Sequence, residues 1–225
     1  VIAEYAAAGK DITDIPCSEF FAPKTLDFTR GRYVCVDGLY QSYLLIPSHG
    51  YKAEVMAGWL SLLVNAGDGI DVDLFLTKQP KDRMVQKLGQ QLRINHSKIK
   101  DASDTNTNFD SLDDAIKSGY FLKRGIAENE DFYYMNILVT VTARNKVELE
   151  WRVNEMKKLM ISQDITIKPF NFHQEEAFRM TLPTLHHEKN LYEKSKRNVL
   201  TTGVASCYPF TSFEISDDNG ILLGV

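Results

Sequence analysis

The sequence has few cysteines, no excess of basic residues and no long apolar run. The cysteines, Cys17, Cys35 and Cys207, lie far apart in the chain, which is typical of unpaired thiols in a reducing compartment rather than of a disulfide framework. No apolar run approaches the roughly 20 residues that a membrane span needs. The first residues, VIAEYAAAGKD, lack the basic segment of a signal peptide. We therefore expect a cytoplasmic protein.

The charge balance argues against a dedicated nucleic-acid binder. Lys and Arg number 26 against 30 Asp and Glu, giving a net charge of -4, and the largest basic cluster is Lys194, Lys196 and Arg197. Nucleic-acid binders usually carry a basic footprint. Hydrophobic residues at 44% and charged residues at 25% are typical of an ordinary folded domain.

Alternating and β-branched residues predict the strands. The strongest signal is the run FYYMNILVTVTA, and a turn at Asp37 and Gly38 joins two earlier strands. The predicted strands are VCV at 34–36, LYQSYLLIP at 39–47, IDVDLFL at 70–76, FYYMNILVTVTA at 132–143 and ITIKPF at 165–170.

Helical spacing of apolar residues predicts four helical regions. A helix over 52–66 ends at Gly67 and carries Met56, Trp59, Leu60, Leu63 and Val64. Residues 81–125 are helical, with Met84, Leu88 and Leu92 on one face, a mobile loop at 101–108 and a capping box at Ser111 and Asp114. A helix after Asn145 buries Leu149, Val153, Met156 and Met160, and QEEAFRM at 174–180 is a short helix that Pro183 ends.

This order gives two strand, helix, strand units, which predict an α+β, ferredoxin-like domain. Such a domain has a mostly antiparallel sheet with helices on one face, here with a helical insertion at about 81–125. We expect an extended lead-in at 1–32, the main domain at 33–182, and a linker with a first strand at 183–225. In that last segment, turn residues at 217–220 precede the strand start Ile221–Leu223.

Two motifs that suggest nucleotide or metal binding fail on spacing. AAAGKD at 6–11 has the Gly-Lys pair of a phosphate loop, but Glu4 and Asp11 stand where that loop needs a glycine and a hydroxyl. His186, His187 and Glu188 are adjacent rather than four residues apart, and His173 is remote. We expect these residues to lie in a solvated loop, and we predict no nucleotide-binding or metal-binding residues.

Other residues suggest chemistry less directly. Asp71 and Asp73 share a strand face, so paired-carboxylate catalysis is conceivable, but alternating carboxylates are also what an exposed strand face shows. Cys207 is a possible nucleophile or a small buried hydrophobe. We predict no catalytic residue.

The aromatic residues also have a functional and a structural interpretation. Phe132, Tyr133 and Tyr134 could form a stacking platform for single-stranded nucleic acid. The Lys, Arg and Gly residues of that signature are missing, which favours buried sheet residues. Trp59 and Trp151 are expected in the core.

The tail, RNVLTTGVASCYPFTSFEISDDNGILLGV at 197–225, carries an Arg-Asn pair, a Pro-Phe pair and an Asn-Gly-Ile turn before a Leu-Gly strand end. These residues are Arg197, Asn198, Pro209, Phe210, Asn219, Gly220, Ile221, Leu223 and Gly224. In this order they resemble the segment before the nucleotide-binding domain of conjugative-transfer and type IV secretion ATPases of the TrbE, CagE and VirB kind. The stretches GWLSLL, DVDLFL, NKVELEWRVNEM and EEAFRMTLP resemble the family's amino-terminal region in sequence and order. The combination resembles a Gram-positive-type conjugative element, such as a conjugative transposon, more than a plant-pathogen secretion system.

The resemblance implies a domain without its ATPase core, since no Walker motif is present. ATP and Mg would bind in the absent carboxyl-terminal domain, so no cofactor is expected here. The implied role is docking the motor onto inner-membrane parts of the transfer channel, at the cytoplasmic face of the membrane. Implied partners are its own ATPase domain and neighbouring subunits of a hexameric ring; DNA is not an expected partner.

Two other functions stay open. A single-stranded nucleic-acid-binding module would use the sheet aromatics with Lys194, Lys196 and Arg197. A small stand-alone hydrolase would use Asp71 and Asp73, or His186 and His187.

Overall fold

A computed structural model describes residues 8–9, 22–52, 54–101, 106–184 and 187–210. These residues form an α+β fold with a seven-stranded, mostly antiparallel sheet. The strands are β1 Leu26–Asp27, β2 Val34–Val36, β3 Leu39–Leu45, β4 Ile70–Gln79, β5 Phe132–Ala143, β6 Lys168–Pro169 and β7 Arg197–Leu200. The helices are α1 Ser61–Val64, α2 Lys81–Asp101, α3 Asn106–Ala127, α4 Lys146–Ile161, α5 Gln174–Thr181, α6 Lys189–Ser195 and α7 Thr201–Ala205.

The strand order is β1-β2-β3-β5-β4, with β6 also paired to β3 and β7 also paired to β5. β3 runs antiparallel to β5, with Tyr43 opposite Thr140 and Leu45 opposite Leu138. β6 and β7 are antiparallel to their neighbours as well. β5 is therefore the central strand, as its apolar sequence predicts.

The chain divides into two compact units, whose boundaries fall within β4 and β5. The first contains Val1–Gly50, Gly69–Asp73 and Leu138–Lys194, and the second contains Tyr51–Asp68, Leu74–Ile137 and Ser195–Val225. The first unit buries Tyr43, Leu44, Leu138, Val141, Met156 and Met160. The second buries Leu60, Leu63, Met84, Leu88, Phe132 and Leu200.

Within the first unit, α4 and α5 contact opposite faces of β3. Lys146, at the start of α4, lies 5.8 Å above the Tyr40 ring, and Phe178 of α5 packs edge-on to Tyr43 at 6.5 Å. Residues three apart on a strand point to opposite faces. The face that carries Tyr43 is therefore the α5 face, and the prediction that the helices lie on one face of the sheet is wrong for α5.

The structure confirms several predicted elements. β2, the turn at Asp37 and Gly38, β3 and β5 have the predicted bounds within two residues. Asn145 caps α4, since its side chain accepts a hydrogen bond from the Glu148 N–H at 2.9 Å. The predicted stripe of α4 is buried, and α5 ends at Thr181, just before Pro183.

The helix predicted over 52–66 is wrong in extent, because only Ser61–Val64 is helical. Gly58 has φ +74, a left-handed conformation that no helix continues through. Its N–H donates to the Ser206 carbonyl at 2.8 Å rather than to the preceding turn. Leu60 and Leu63 are buried as predicted, but Met56 and Val64 are exposed. Trp59, which was expected in the core, is half-buried.

Three further predictions need correction. β6 covers only Lys168–Pro169 of the strand predicted at 165–170. Ser111 cannot cap a helix, since α3 already begins at Asn106. Of the predicted loop 101–108, the described residues are helical, and 102–105 lie outside the described residues.

The ends of the chain are described only in part. Within the predicted lead-in, Leu26–Asp27 pairs with β2 as an edge strand. Most of the lead-in, including AAAGKD apart from two residues, lies outside the described residues, as do Cys17, His186 and the tail 211–225. In the segment predicted as a linker, β7 pairs with β5. Among the described residues, no helix is both long enough and apolar enough to cross a membrane.

Candidate functional site

The predicted carboxylate pair lies on β4, in the first unit. Asp71 is exposed, but Asp73 is half-buried, so the exposed-face prediction is wrong for Asp73. Burial, followed by the neighbouring charge of Asp71, raises the pKa of the Asp73 carboxyl to about 6. Both effects disfavour the ionised carboxylate.

β4 runs against β5, which fixes the neighbours of the pair. The Thr142 N–H donates to the Gly69 carbonyl at 2.7 Å near the start of β4. At the other end of β4, the Lys78 ammonium lies 2.6 Å from the Asp131 carboxylate, just before β5. In an antiparallel pair, two residues forward along one strand correspond to two residues back along the other. Asp71, two residues after Gly69, therefore lies beside Thr140, two residues before Thr142, and both side chains leave the same face of the sheet.

Asp71, Thr140 and Tyr43 form a row across three neighbouring strands, because Tyr43 on β3 lies opposite Thr140. The Tyr43 hydroxyl donates to the Gln41 Oε1 at 2.8 Å. Burial raises the pKa of Tyr43, and the charges of Asp73 and Asp71 add to the rise. The two carboxylates are therefore close enough for their field to act on the phenol.

Thr140, in the middle of the row, is 5% exposed, and its Oγ1 has no hydrogen-bond partner among the described residues. Sequence reasoning missed this residue because a threonine in a strand is ordinary. Thr140 becomes a candidate site residue only when its neighbours are known, Tyr43 on β3 and Asp71 on β4.

Neither described histidine of the predicted metal motif, His173 or His187, belongs to a group of residues that could share a metal ion. His187 is exposed, as expected for a solvated loop, with its ring 5.7 Å from that of Tyr192. His173 stacks on Phe170 at 4.7 Å, and its Nδ1 lies 3.0 Å from the Glu176 carboxylate. In the part of the chain that the structure describes, no three His, Cys, Asp or Glu residues are grouped to share a metal ion.

Cys207 is a small buried residue in the second unit, which confirms that interpretation. Its Sγ lies 3.5 Å from the Met135 sulfur and 3.3 Å from the Gly203 carbonyl. Burial raises the pKa of the thiol, which disfavours the nucleophilic thiolate.

The aromatic cluster lies on β5, and two of its three residues are buried as predicted. Phe132 and Tyr134 are buried with ring centroids 5.8 Å apart. The Lys87 and Lys196 ammoniums lie 5.7 and 5.3 Å from the Tyr134 ring. A base cannot stack on Phe132 or Tyr134, because the fold already covers both rings. Tyr133 is only half-buried, so the prediction of buried sheet residues does not hold for it.

The three residues of the basic cluster predicted for nucleic-acid binding each contact a different aromatic ring of the protein. Lys194 contacts Phe170 at 5.4 Å in the first unit. In the second unit, Lys196 contacts Tyr134 and Arg197 contacts Tyr51 at 6.0 Å. These cation–π contacts tie the cluster to the fold.

α4 exposes an apolar stripe that sequence reasoning did not predict. Val147, Trp151 and Ile161 are 79%, 61% and 65% exposed. The core prediction for Trp151 is therefore wrong. Trp151 lies two residues from both Leu149 and Val153, which at about 100° per residue puts it on the opposite side of the helix.

Charged residues lie both beside this α4 stripe and within it, since the exposed Lys158 falls on the same face between Trp151 and Ile161 at about 100° per residue. The Arg152 guanidinium lies 2.8 Å from Glu148, and the Lys158 ammonium lies 2.8 Å from Glu155. Exposed apolar groups framed by charged residues are the usual composition of a protein interface. The signal was present in the sequence as a second set of apolar residues on α4.

Comparisons with known proteins do not assign the chain. No known family matches its sequence, and no protein of curated function is significantly similar to it.

Proposed function

We propose that this chain is a docking and assembly domain of a conjugative-transfer or type IV secretion ATPase, without catalytic residues of its own. The observation that carries the docking role is the α4 stripe, where Trp151 is 61% exposed between Val147 and Ile161. Exposed tryptophan is costly in water and is enriched at the centres of interfaces.

The assignment to a transfer ATPase rests on sequence resemblance. The residues on which this resemblance rests are the Arg-Asn, Pro-Phe and Asn-Gly-Ile groups of segment 197–225. The Arg-Asn pair begins β7, which pairs with β5. Of this segment, residues 197–210 are described by the structure, and 211–225 lie outside the described residues.

The finer fold that we propose is ferredoxin-like with a helical insertion. The strands β6, β3, β5 and β4 lie side by side in that order. This is the order that two interleaved strand, helix, strand units produce when both crossovers are right-handed. α2 and α3 occupy the connection between β4 and β5, where the insertion is expected, and they pack on each other.

The proposed partners follow from this role. They are the chain's own ATPase domain, inner-membrane components of the channel and neighbouring subunits of a hexameric ring. The location is the cytoplasmic face of the membrane, and ATP and Mg would belong to the ATPase domain alone.

A mating assay tests the docking role in donor cells. We expect the double substitution Trp151→Ala and Ile161→Ser in the full-length protein to lower DNA transfer at least tenfold. Protein level and ATPase activity should stay unchanged, because neither side chain is buried. Phe121→Ala, which removes an aromatic side chain that is also exposed but lies on α3, is the matched control. Normal transfer by the double variant would refute docking through α4.

A hydrolase is the second candidate, favoured by one observation. The pKa of Asp73 at about 6 suits a general acid or base near neutral pH. Asp73→Ala should then abolish an activity found by broad substrate screening. The docking role predicts a folded domain with unchanged partner binding.

A nucleic-acid-binding module has less support, since Phe132 and Tyr134 are buried. It predicts retardation of single-stranded nucleic acid in a gel at low salt, and its absence would remove this alternative.

A further inference from the structure

We propose that Asp71, Asp73 and Thr140 form a binding site for a hard divalent cation of the Mg²⁺ or Mn²⁺ type. The site lies within the first unit, on the sheet face that carries Tyr43. It is independent of the docking role of α4.

The backbone brings the three side chains to one place. Thr140 on β5 lies beside Asp71 on β4, and neighbouring strands in a sheet are about 4.8 Å apart. Asp73 follows Asp71 by two residues, so both carboxylates leave β4 on the same face. Tyr43 closes the row on the other side of Thr140.

Two carboxylates in this position lack a basic partner. Among the described residues, neither Asp71 nor Asp73 forms an ion pair with a Lys, Arg or His side chain. The nearby guanidinium of Arg152 is engaged, because it donates to the Thr142 carbonyl at 3.1 Å and pairs with Glu148. A cation between the carboxylates would remove their mutual repulsion and compensate the burial of Asp73.

The Thr140 hydroxyl is the second, independent sign of a ligand. It is buried in the row with no hydrogen-bond partner among the described residues, although buried polar groups are almost always satisfied. Its oxygen could coordinate a cation directly or bind a water of the cation's hydration shell. Either contact would give the Thr140 hydroxyl the partner that it lacks among the described residues.

The chemistry of these groups selects the cation. Every donor is an oxygen, and no His or Cys is part of the row, so soft metals are disfavoured. Mg²⁺ commonly binds through one or two carboxylates and keeps several waters. Asp71 is exposed, which leaves room for those waters.

Nuclear magnetic resonance with Mn²⁺ as the probe tests the site on the whole chain. The paramagnetic ion should broaden the amide signals of 71–73 and 140–142 first, at submillimolar concentration. Excess Mg²⁺ should restore these signals. Asp71→Asn and Asp73→Asn should each weaken Mn²⁺ binding at least tenfold, and Thr140→Val should weaken it several-fold.

Asp110→Asn is the control, because Asp110 is an exposed carboxylate on α3, and it should bind Mn²⁺ as the unchanged chain does. Broadening that spreads equally over the exposed acidic residues would overturn the proposal. So would broadening at 140–142 that survives the double substitution of Asp71 and Asp73, or no broadening at millimolar Mn²⁺.

Discussion

Asp73 is the residue at which pH acts most directly on stability. Burial and the charge of Asp71 raise its pKa from the ordinary 3.8 to about 6. Between these two values the folded chain binds more protons than the unfolded chain. The free energy of unfolding therefore falls as pH rises through this window, and the full penalty is present above pH 6.

We expect Asp73→Asn to stabilise the chain at pH 7.5, measured by urea unfolding in the presence of a chelator. The full shift corresponds to about 3 kcal/mol, and solvent screening of the half-buried group reduces this to about 1 kcal/mol. The gain should shrink as pH falls from 6 and vanish at about pH 3 and below, where Asp73 is protonated in both states. A gain of equal size at both pH values would contradict the argument.

Glycine has different roles at two helical positions. A side chain on Gly125 of α3 would overlap Leu200, which is buried, whereas one on Gly89 of α2 would meet no atom within 4 Å. Gly125→Ala should therefore destabilise the chain by about 1–3 kcal/mol. Gly89→Ala should stabilise it by about 0.5–1 kcal/mol, because alanine is the better helix former. Equal effects in denaturant unfolding would show that α3 and β7 do not pack closely.

α4 is the element with two apolar faces, one buried and one exposed. Leu149 and Val153 lie on the buried face, while Trp151 lies between them in sequence and is exposed. A tryptophan among core residues in the sequence favours a core assignment. Only the three-dimensional arrangement shows that the sheet covers one side of the helix.

Substitutions on the two faces should differ sharply in stability. Leu149→Ala removes a buried side chain and should cost about 2–5 kcal/mol. Trp151→Ala removes a mostly exposed one and should change the free energy of unfolding by about 0.5 kcal/mol or less. A large loss for Trp151→Ala in chemical denaturation would mean that this side chain serves the fold rather than a partner.

Elements with strong local signals could be predicted, and those defined by distant contacts could not. β5 and α4 follow from β-branched residues and from the Asn145 cap. The turn at Gly58 depends on a hydrogen bond to Ser206, so helical spacing at 52–66 was misleading. The row around Thr140 requires the pairing of three strands.

At the scale of the whole molecule, the fold is a sheet with β5 at its centre. Its order could be predicted coarsely, because strand and helix signals alternate along the chain. The candidate cation site could be predicted only as its carboxylate pair. The interface on α4 and the burial of Asp73 needed the structure, since both depend on which face is covered.

The most direct test of the proposed function is to sequence the source gene beyond codon 225. We expect the pattern G-x-x-x-x-G-K followed by Ser or Thr within a few tens of codons, because the motor domain should follow the docking domain. A stop codon, or a following domain without this phosphate-binding loop, would contradict it.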